Sequence, residues 1–229
     1  MALKDDLEKR VKEIFASSWT TRDGNVVPDD GSVTLSNDAV KLNATVLYAD
    51  LSGSTSMVDT KNKAFSAEVY KSYLHVAAKI INAEDGTVTA YDGDRIMAVF
   101  IGDSKNSTAA RCGLKLNWAV KNIINPAIVD KYGENYYSIR HVVGIDTSEL
   151  FIAKTGVRGA NDLVWVGRAA NYAAKLSSLD GFPTYITDSV YNSLSEKSKF
   201  SKGVDMWQAR TWTSMDNRRI YGSIYWWAL

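Results

Sequence analysis

Leu3, Leu7, Val11 and Ile14 recur at helical spacing, which predicts an amphipathic helix over residues 2–16. Residues 17–36 mix Gly24, Pro28 and Gly31 with polar side chains and read as a loop or arm. The run Thr45-Val46-Leu47-Tyr48 is β-branched, apolar and aromatic, and predicts a buried strand over about 44–50. Helical periodicity returns at Phe65, Val69, Tyr73, Val76 and Ile80, giving a helix over about 63–83. The stretch GTVTAYDGDRIMAVF (86–100) reads as two strands joined by a tight turn at Asp92-Gly93. Residues 105–124 read as helix, 137–155 as a strand pair, and the Ala-rich GRAANYAAKLSSL (167–179) as helix. A strand near 184–187, a short helix from Asp188, and strands around 206–212 and 218–226 complete the pattern. Helices alternating with paired strands predict an α+β sandwich, in which helices cover a mostly antiparallel sheet.

Composition narrows the picture. With 229 residues, 45% hydrophobic and 11% aromatic, the chain has ample material for a core, as one large domain or two small ones. A formal charge of +1 without a basic run argues against a general polyanion binder, and so against nucleic acid as a partner. Cys112 is the sole cysteine, which excludes an intrachain disulfide and a Cys-based zinc site. The N-terminal MALKDDLEKRVKEIF lacks the apolar core of a signal peptide, and no apolar run approaches the length of a membrane span. These features lead to the expectation of a cytoplasmic protein with no membrane partner.

The candidate chemistry begins where the strand over 44–50 breaks into Leu51-Ser52-Gly53-Ser54-Thr55. Asp50 ends that strand, and Asp94 sits in the turn of a hairpin able to lie beside it. Two carboxylates at adjacent strand ends repel unless a cation lies between them, and Mg²⁺ prefers a few hard oxygens together with substrate phosphates. Successive N–H groups at a helix start form a seat for phosphate. Taken singly, each aspartate suits an ordinary turn or loop. Together with the Ser-Gly-Ser-Thr loop they point to a site that holds metal and phosphate.

These residues resemble the class III nucleotidyl cyclases. The first metal motif of that family is matched by Tyr48-Ala49-Asp50-Leu51-Ser52-Gly53, and its hairpin by Gly93-Asp94 followed by Ile96-Met97-Ala98-Val99-Phe100. A third motif is matched by Gly167-Arg168-Ala169-Ala170-Asn171-Tyr172-Ala173-Ala174-Lys175, with Lys175 where the family has arginine. The likeness runs from about 44 to 190. It implies a ferredoxin-like cyclase sandwich over 37–229, preceded by an N-terminal helix and arm over 1–36. It also implies a head-to-tail homodimer with composite sites. Asp50, Asp94 and the Leu51 carbonyl would bind two divalent ions, Mg²⁺ or Mn²⁺, in one subunit. One ion would lower the pKa of the ribose 3′-hydroxyl and the other would neutralise the polyphosphate. Asn171 and Lys175 would enter from the other subunit, Asn171 to orient the ribose and Lys175 to stabilise charge on the α-phosphate. Arg168 is the candidate stand-in for the missing arginine, because lysine offers a point charge and not a fork.

The departures from the family carry the substrate reading. Adenylate cyclases read adenine with a lysine and an aspartate at positions occupied here by Ala90 and by Val164, or Leu163 if the loop carries an insertion, with Asp162 close by. An apolar pair cannot make the polar contacts that adenine needs. Tyr48 and Arg95 offer a ring, a hydroxyl and forked donors suited to a pyrimidine carbonyl. With YDGDRIMAVF, this pair resembles the bacterial pyrimidine cyclases of anti-phage signalling. That resemblance implies conversion of UTP to cyclic UMP, or of CTP to cyclic CMP, with the product reaching a separate effector. Lys154 and Arg158 lie near the loop before the third motif, where related enzymes place polyphosphate-binding groups; each equally suits a solvated surface charge. Other readings are an adenylate or guanylate cyclase, a diguanylate cyclase, which the missing second carboxylate at Arg95 disfavours, and a non-catalytic nucleotide sensor. His141, within IRHVVGI, reads as a core histidine, and the seven tryptophans as mostly core, with Trp226-Trp227 a candidate dimer contact.

Overall fold

The computed structural model describes residues 2–229. In chain order, helix α1 (Leu3–Ala16) precedes strands β1 (Thr20–Asp23) and β2 (Asp38–Ser52), then helices α2 (Ser54–Thr60) and α3 (Lys63–Ala83). The hairpin β3 (Thr87–Asp92) and β4 (Arg95–Phe100) leads to α4 (Lys105–Ala119) and α5 (Asn125–Tyr132). Next come β5 (Arg140–Val157), β6 (Ala160–Val166), α6 (Arg168–Leu176), β7 (Thr184–Thr187) and α7 (Asp188–Asn192). The chain closes with α8 (Glu196–Lys199), β8 (Phe200–Ser201), β9 (Val204–Asp205), β10 (Gln208–Trp212) and β11 (Arg218–Ser223).

Two compact units result, one from residues up to Asn43 with Glu149–Gly167, the other from Ala44–Ser148 with Arg168–Leu229. In the smaller unit β1 runs parallel to the start of β2, and β6 pairs antiparallel with the end of β5. Trp19 meets Phe151 edge to face at 5.0 Å. No residue of α1 is buried: its stripe of Leu3, Leu7, Val11 and Ile14 is exposed.

In the larger unit the strand order is β10-β11-β7-β5-β2-β4-β3. The pairs β10–β11, β11–β7, β2–β4 and β3–β4 are antiparallel, and β5–β7 is parallel. Period-2 alternation sends Leu47, Ala49 and Leu51 of β2 and Ile96, Ala98 and Phe100 of β4 into one core with Phe65, Tyr73 and Ile81 of α3 and Leu114 and Leu116 of α4. A second cluster, Val142, Leu176, Tyr185, Trp212 and Ile220, seats α6. Gly144 makes that seat possible, since a Cβ there would lie 2.2 Å from the Ala173 carbonyl oxygen. The observed α+β sandwich agrees with the sequence expectation.

Several elements differ in detail. The expected loop over 17–36 contains β1, because Thr20–Asp23 finds a backbone partner in β2. The expected strand pair over 137–155 is one continuous strand, β5, partnered by β6. The helix expected to end at 124 passes through a π turn at Val120–Ile124 into α5, whose first turn tolerates Pro126. The hairpin turn sits one residue later than expected: Asp92 pairs with Arg95, leaving Gly93-Asp94 as the turn, with Gly93 at a φ of 62°.

Candidate active site

The alternation that buries Leu47, Ala49 and Leu51 turns Tyr48 and Asp50 to the opposite face of β2, where both are half-buried. The register Tyr48↔Met97 and Ala49↔Ile96 brings β4 and its turn alongside. The Arg95 guanidinium lies 5.5 Å from the centre of the Tyr48 ring and donates to Asp92 Oδ2 at 2.8 Å. Burial first, and then the charge of Asp94, push the Asp50 pKa up to about 6; Arg95 partly opposes them. Asp94 Oδ2 is buried and has no hydrogen-bond partner. A carboxylate whose charge is disfavoured by burial and by its neighbour, beside one with an orphaned oxygen, suits a divalent cation. Among the described residues there is no cluster of three or more His, Cys, Asp and Glu side chains at this or any other place. The rest of a metal's shell would therefore come from oxygens such as the Leu51 carbonyl, water and substrate phosphate.

Ser52 ends β2 and Gly53, at a φ of 74°, starts α2 without a side-chain cap. Ser54 lies near the Tyr70 hydroxyl of α3, and Thr55 is exposed. Two α3 tyrosines join this neighbourhood that sequence reading assigned only to the helix. Burial raises the pKa of both Tyr70 and Tyr73, and the charges of Asp50 and Asp94 add to it. The Tyr73 hydroxyl is buried without a partner. Phe65, Val69 and Tyr73 share the periodic face of the helix, so the Tyr73 hydroxyl lies among core positions.

On α6, Asn171 and Lys175 are both exposed, one helical turn apart. Lys175 Nζ contacts a weak acceptor, Met215 Sδ, at 3.4 Å. Arg168 is already engaged: its Nε lies 3.1 Å from Asp146 Oδ2, and its Nη2 donates to the Thr147 carbonyl at 2.6 Å and to Ser189 Oγ at 3.2 Å. Thr187 Oγ1 donates to the same buried Asp146 at 2.5 Å. Beside these residues is a cavity of about 380 Å³ lined by Arg168, Tyr172, Asp188, Trp212, Arg218 and Arg219 among others. Arg168 and Arg218 lie over the Tyr172 ring at 5.7 and 5.5 Å. Sequence reading missed Arg218 and Arg219; the doublet in DNRRIYG was the available signal.

The other candidates lie in the smaller unit. Lys154 Nζ donates to the Asp30 carbonyl at 2.6 Å and lies 3.3 Å from the Asp30 carboxylate. Arg158 is exposed in the turn between β5 and β6. At the C-terminus the tryptophan pair divides. The Trp227 N–H donates to the Leu114 carbonyl at 3.1 Å and its ring packs on the core, while Trp226 is exposed. No helix among the described residues is long and apolar enough to cross a membrane.

Comparison with known proteins adds relatives to this geometry. No family model matches the chain. A uridylate cyclase from Xanthomonas perforans is 54% identical over 230 residues, covering 100% of both chains. Another uridylate cyclase, from Burkholderia cepacia, is 56% identical over 217 residues, 94% of each chain. Among solved structures, the guanylyl cyclase Cya2 aligns with a TM-score of 0.66 at 19% identity, covering 82% of this chain and 94% of that one. The last likeness shows the fold.

Proposed function

The chain belongs to the uridylate cyclase family and is a nucleotidyl cyclase, and on that premise we propose that it converts UTP to 3′,5′-cyclic UMP and pyrophosphate. The observation that carries this reading is the half-buried Asp50 beside Asp94, whose Oδ2 is buried without a partner. In this reading Asp50, Asp94 and the Leu51 carbonyl hold two divalent ions, Mg²⁺ or Mn²⁺. When bound, such ions supply acidification of the ribose 3′-hydroxyl and charge neutralisation of the triphosphate. The 3′-oxygen attacks the α-phosphorus, the bond to the β-phosphate oxygen breaks, and pyrophosphate leaves; the hydroxyl proton passes to solvent.

The chain's own residues bind and orient. Tyr48 and the Arg95 donors not committed to Asp92 face the pyrimidine, and the Ser52–Thr55 turn faces phosphate. Asn171 and Lys175 come from the second subunit of a homodimer. Lys175 suits the α-phosphate better than Arg168, because Asp146 and its neighbours already hold the Arg168 guanidinium. Arg218 and Arg219 of the α6 cavity are proposed as polyphosphate contacts; Lys154 and Arg158 are separately proposed to bind polyphosphate. Domain bounds of 37–229, with 1–36 as an N-terminal helix and arm, complete the assignment. The resemblance to pyrimidine cyclases of anti-phage signalling supports a second-messenger role in defence, through a separate effector. Incubating the pure protein with each of the four nucleoside triphosphates and Mn²⁺ tests the reading. Cyclic UMP from UTP, well above the other products, is expected. Cyclic CMP as the main product, or no cyclic product, would overturn it.

A further inference from the structure

A second cavity, of about 410 Å³, lies in the larger unit between the π turn, the start of β5 and the loop before β7. Its walls are fixed by hydrogen bonds. The Asn125 side chain accepts from the Ile139 N–H at 2.8 Å and donates to the Ile139 carbonyl at 3.2 Å. Asn117 Nδ2 donates to the Ile224 and Tyr225 carbonyls at 3.1 and 2.8 Å. The Tyr185 hydroxyl donates to the Asp180 carbonyl, and the Val143 N–H to the Pro183 carbonyl at 2.9 Å. The opening is therefore preformed, and its volume is that of a small-molecule site.

Around it, polar groups are left over. His141 forms part of the wall; its Nε2 is buried without a partner, closed off from the cavity, and its ring centre lies 6.1 Å from that of the buried Tyr73. Burial, aided by the Lys121 charge, lowers the His141 pKa to about 4, so the ring is neutral at physiological pH. Lys121, carried by the π turn, and Arg140 line the cavity too, and among the described residues neither is engaged in an ion pair. Turns of this kind are frequent at functional sites. Val120, Val142, Phe182 and Ile224 supply apolar wall, and Asp180 is the one acidic side chain in the lining.

We infer that this cavity binds a small organic anion, a phosphate or carboxylate on a compact apolar body, with Lys121 and Arg140 on the anionic group and Val120, Val142, Phe182 and Ile224 around the body. Ser52, at the end of β2, also lines the cavity; the inference rests on Lys121, Arg140 and the apolar wall, none of which the cyclase reading uses, and goes beyond that reading. Isothermal titration calorimetry of the full chain with phenyl phosphate, benzoate and inorganic phosphate tests it; the first two arms distinguish phosphate from carboxylate. Binding of phenyl phosphate or benzoate is expected at millimolar or lower concentration, weaker for inorganic phosphate. The exposed double variant Lys121→Ala/Arg140→Ala should lose about tenfold or more of that affinity, whereas Lys9→Ala/Lys12→Ala should not. No binding by the unaltered protein would overturn the inference. So would binding that survives loss of Lys121 and Arg140 but disappears with Arg218 and Arg219, which would place the anion in the α6 cavity.

Discussion

At the scale of single residues, Asp50 and His141 make opposite claims about acid. The Asp50 pKa is raised to about 6, so below that value the folded, metal-free protein holds a proton that the unfolded chain has released. Stability from this group therefore falls as pH rises from about 4 to 6 and is level above that window. Asp50→Asn should remove this dependence and raise the melting temperature of metal-free protein at pH 7, while reducing turnover to background. His141 has a pKa lowered to about 4 from 6.5, so it contributes stability above pH 6.5 that is lost as pH falls toward 4, at most about 3 kcal/mol. Denaturant titrations of His141→Gln across that range should show a flatter curve than wild type. A curve parallel to wild type would mean that the ring is not held neutral by burial. For the base, Tyr48→Phe and Arg95→Ala should reduce pyrimidine cyclisation, Arg95→Ala by about 1.5–3 kcal/mol of binding if a charged hydrogen bond is lost. Competition between UTP and the other triphosphates reads the effect, and an unchanged preference in both variants would return the pair to structural roles.

At the scale of elements, legibility followed local chemistry. The hairpin at 86–100, the strand at Thr184–Thr187 and the helix at Lys63–Ala83 were readable because turn residues, β-branched runs and periodicity agreed over short spans. The candidate metal pair was legible for the same reason, since Asp50 and Asp94 each sit beside a local strand signal. What was hidden depended on distant partners. Strand β1 forms only because β2 accepts it, and the continuation of α4 into α5 needs a π turn that no short window reveals. Arg168 was the candidate stand-in for the missing arginine, and its engagement by Asp146, 22 residues away, arises only in the fold. Gly144 carries the corresponding prediction. A methyl at this position would press on the backbone of α6, the helix of Asn171 and Lys175. Gly144→Ala should cost about 1–3 kcal/mol of stability and reduce kcat more than metal affinity. An unperturbed melting temperature and rate would show that α6 is not seated on β5 as described.

At the scale of the whole molecule, the proposed mechanism calls for a site built from two chains. Asp50 and Asp94 are held by β2 and the β3–β4 turn, while Asn171 and Lys175 stand exposed on α6 with the Met215 sulfur near the ammonium. Exposed side chains of this kind fit a role toward a partner. The most direct measurement uses two tagged chains, one Asp50→Ala and one Asn171→Ala, co-expressed and isolated as the heterodimer, then supplied with UTP and Mn²⁺. In a symmetric dimer one site carries both lesions and the other carries neither. The composite site predicts cyclic UMP at about half the wild-type rate per dimer, while each variant homodimer stays inactive. A verified heterodimer as inactive as its parents would contradict the account, placing Asp50 and Asn171 in the same subunit's site.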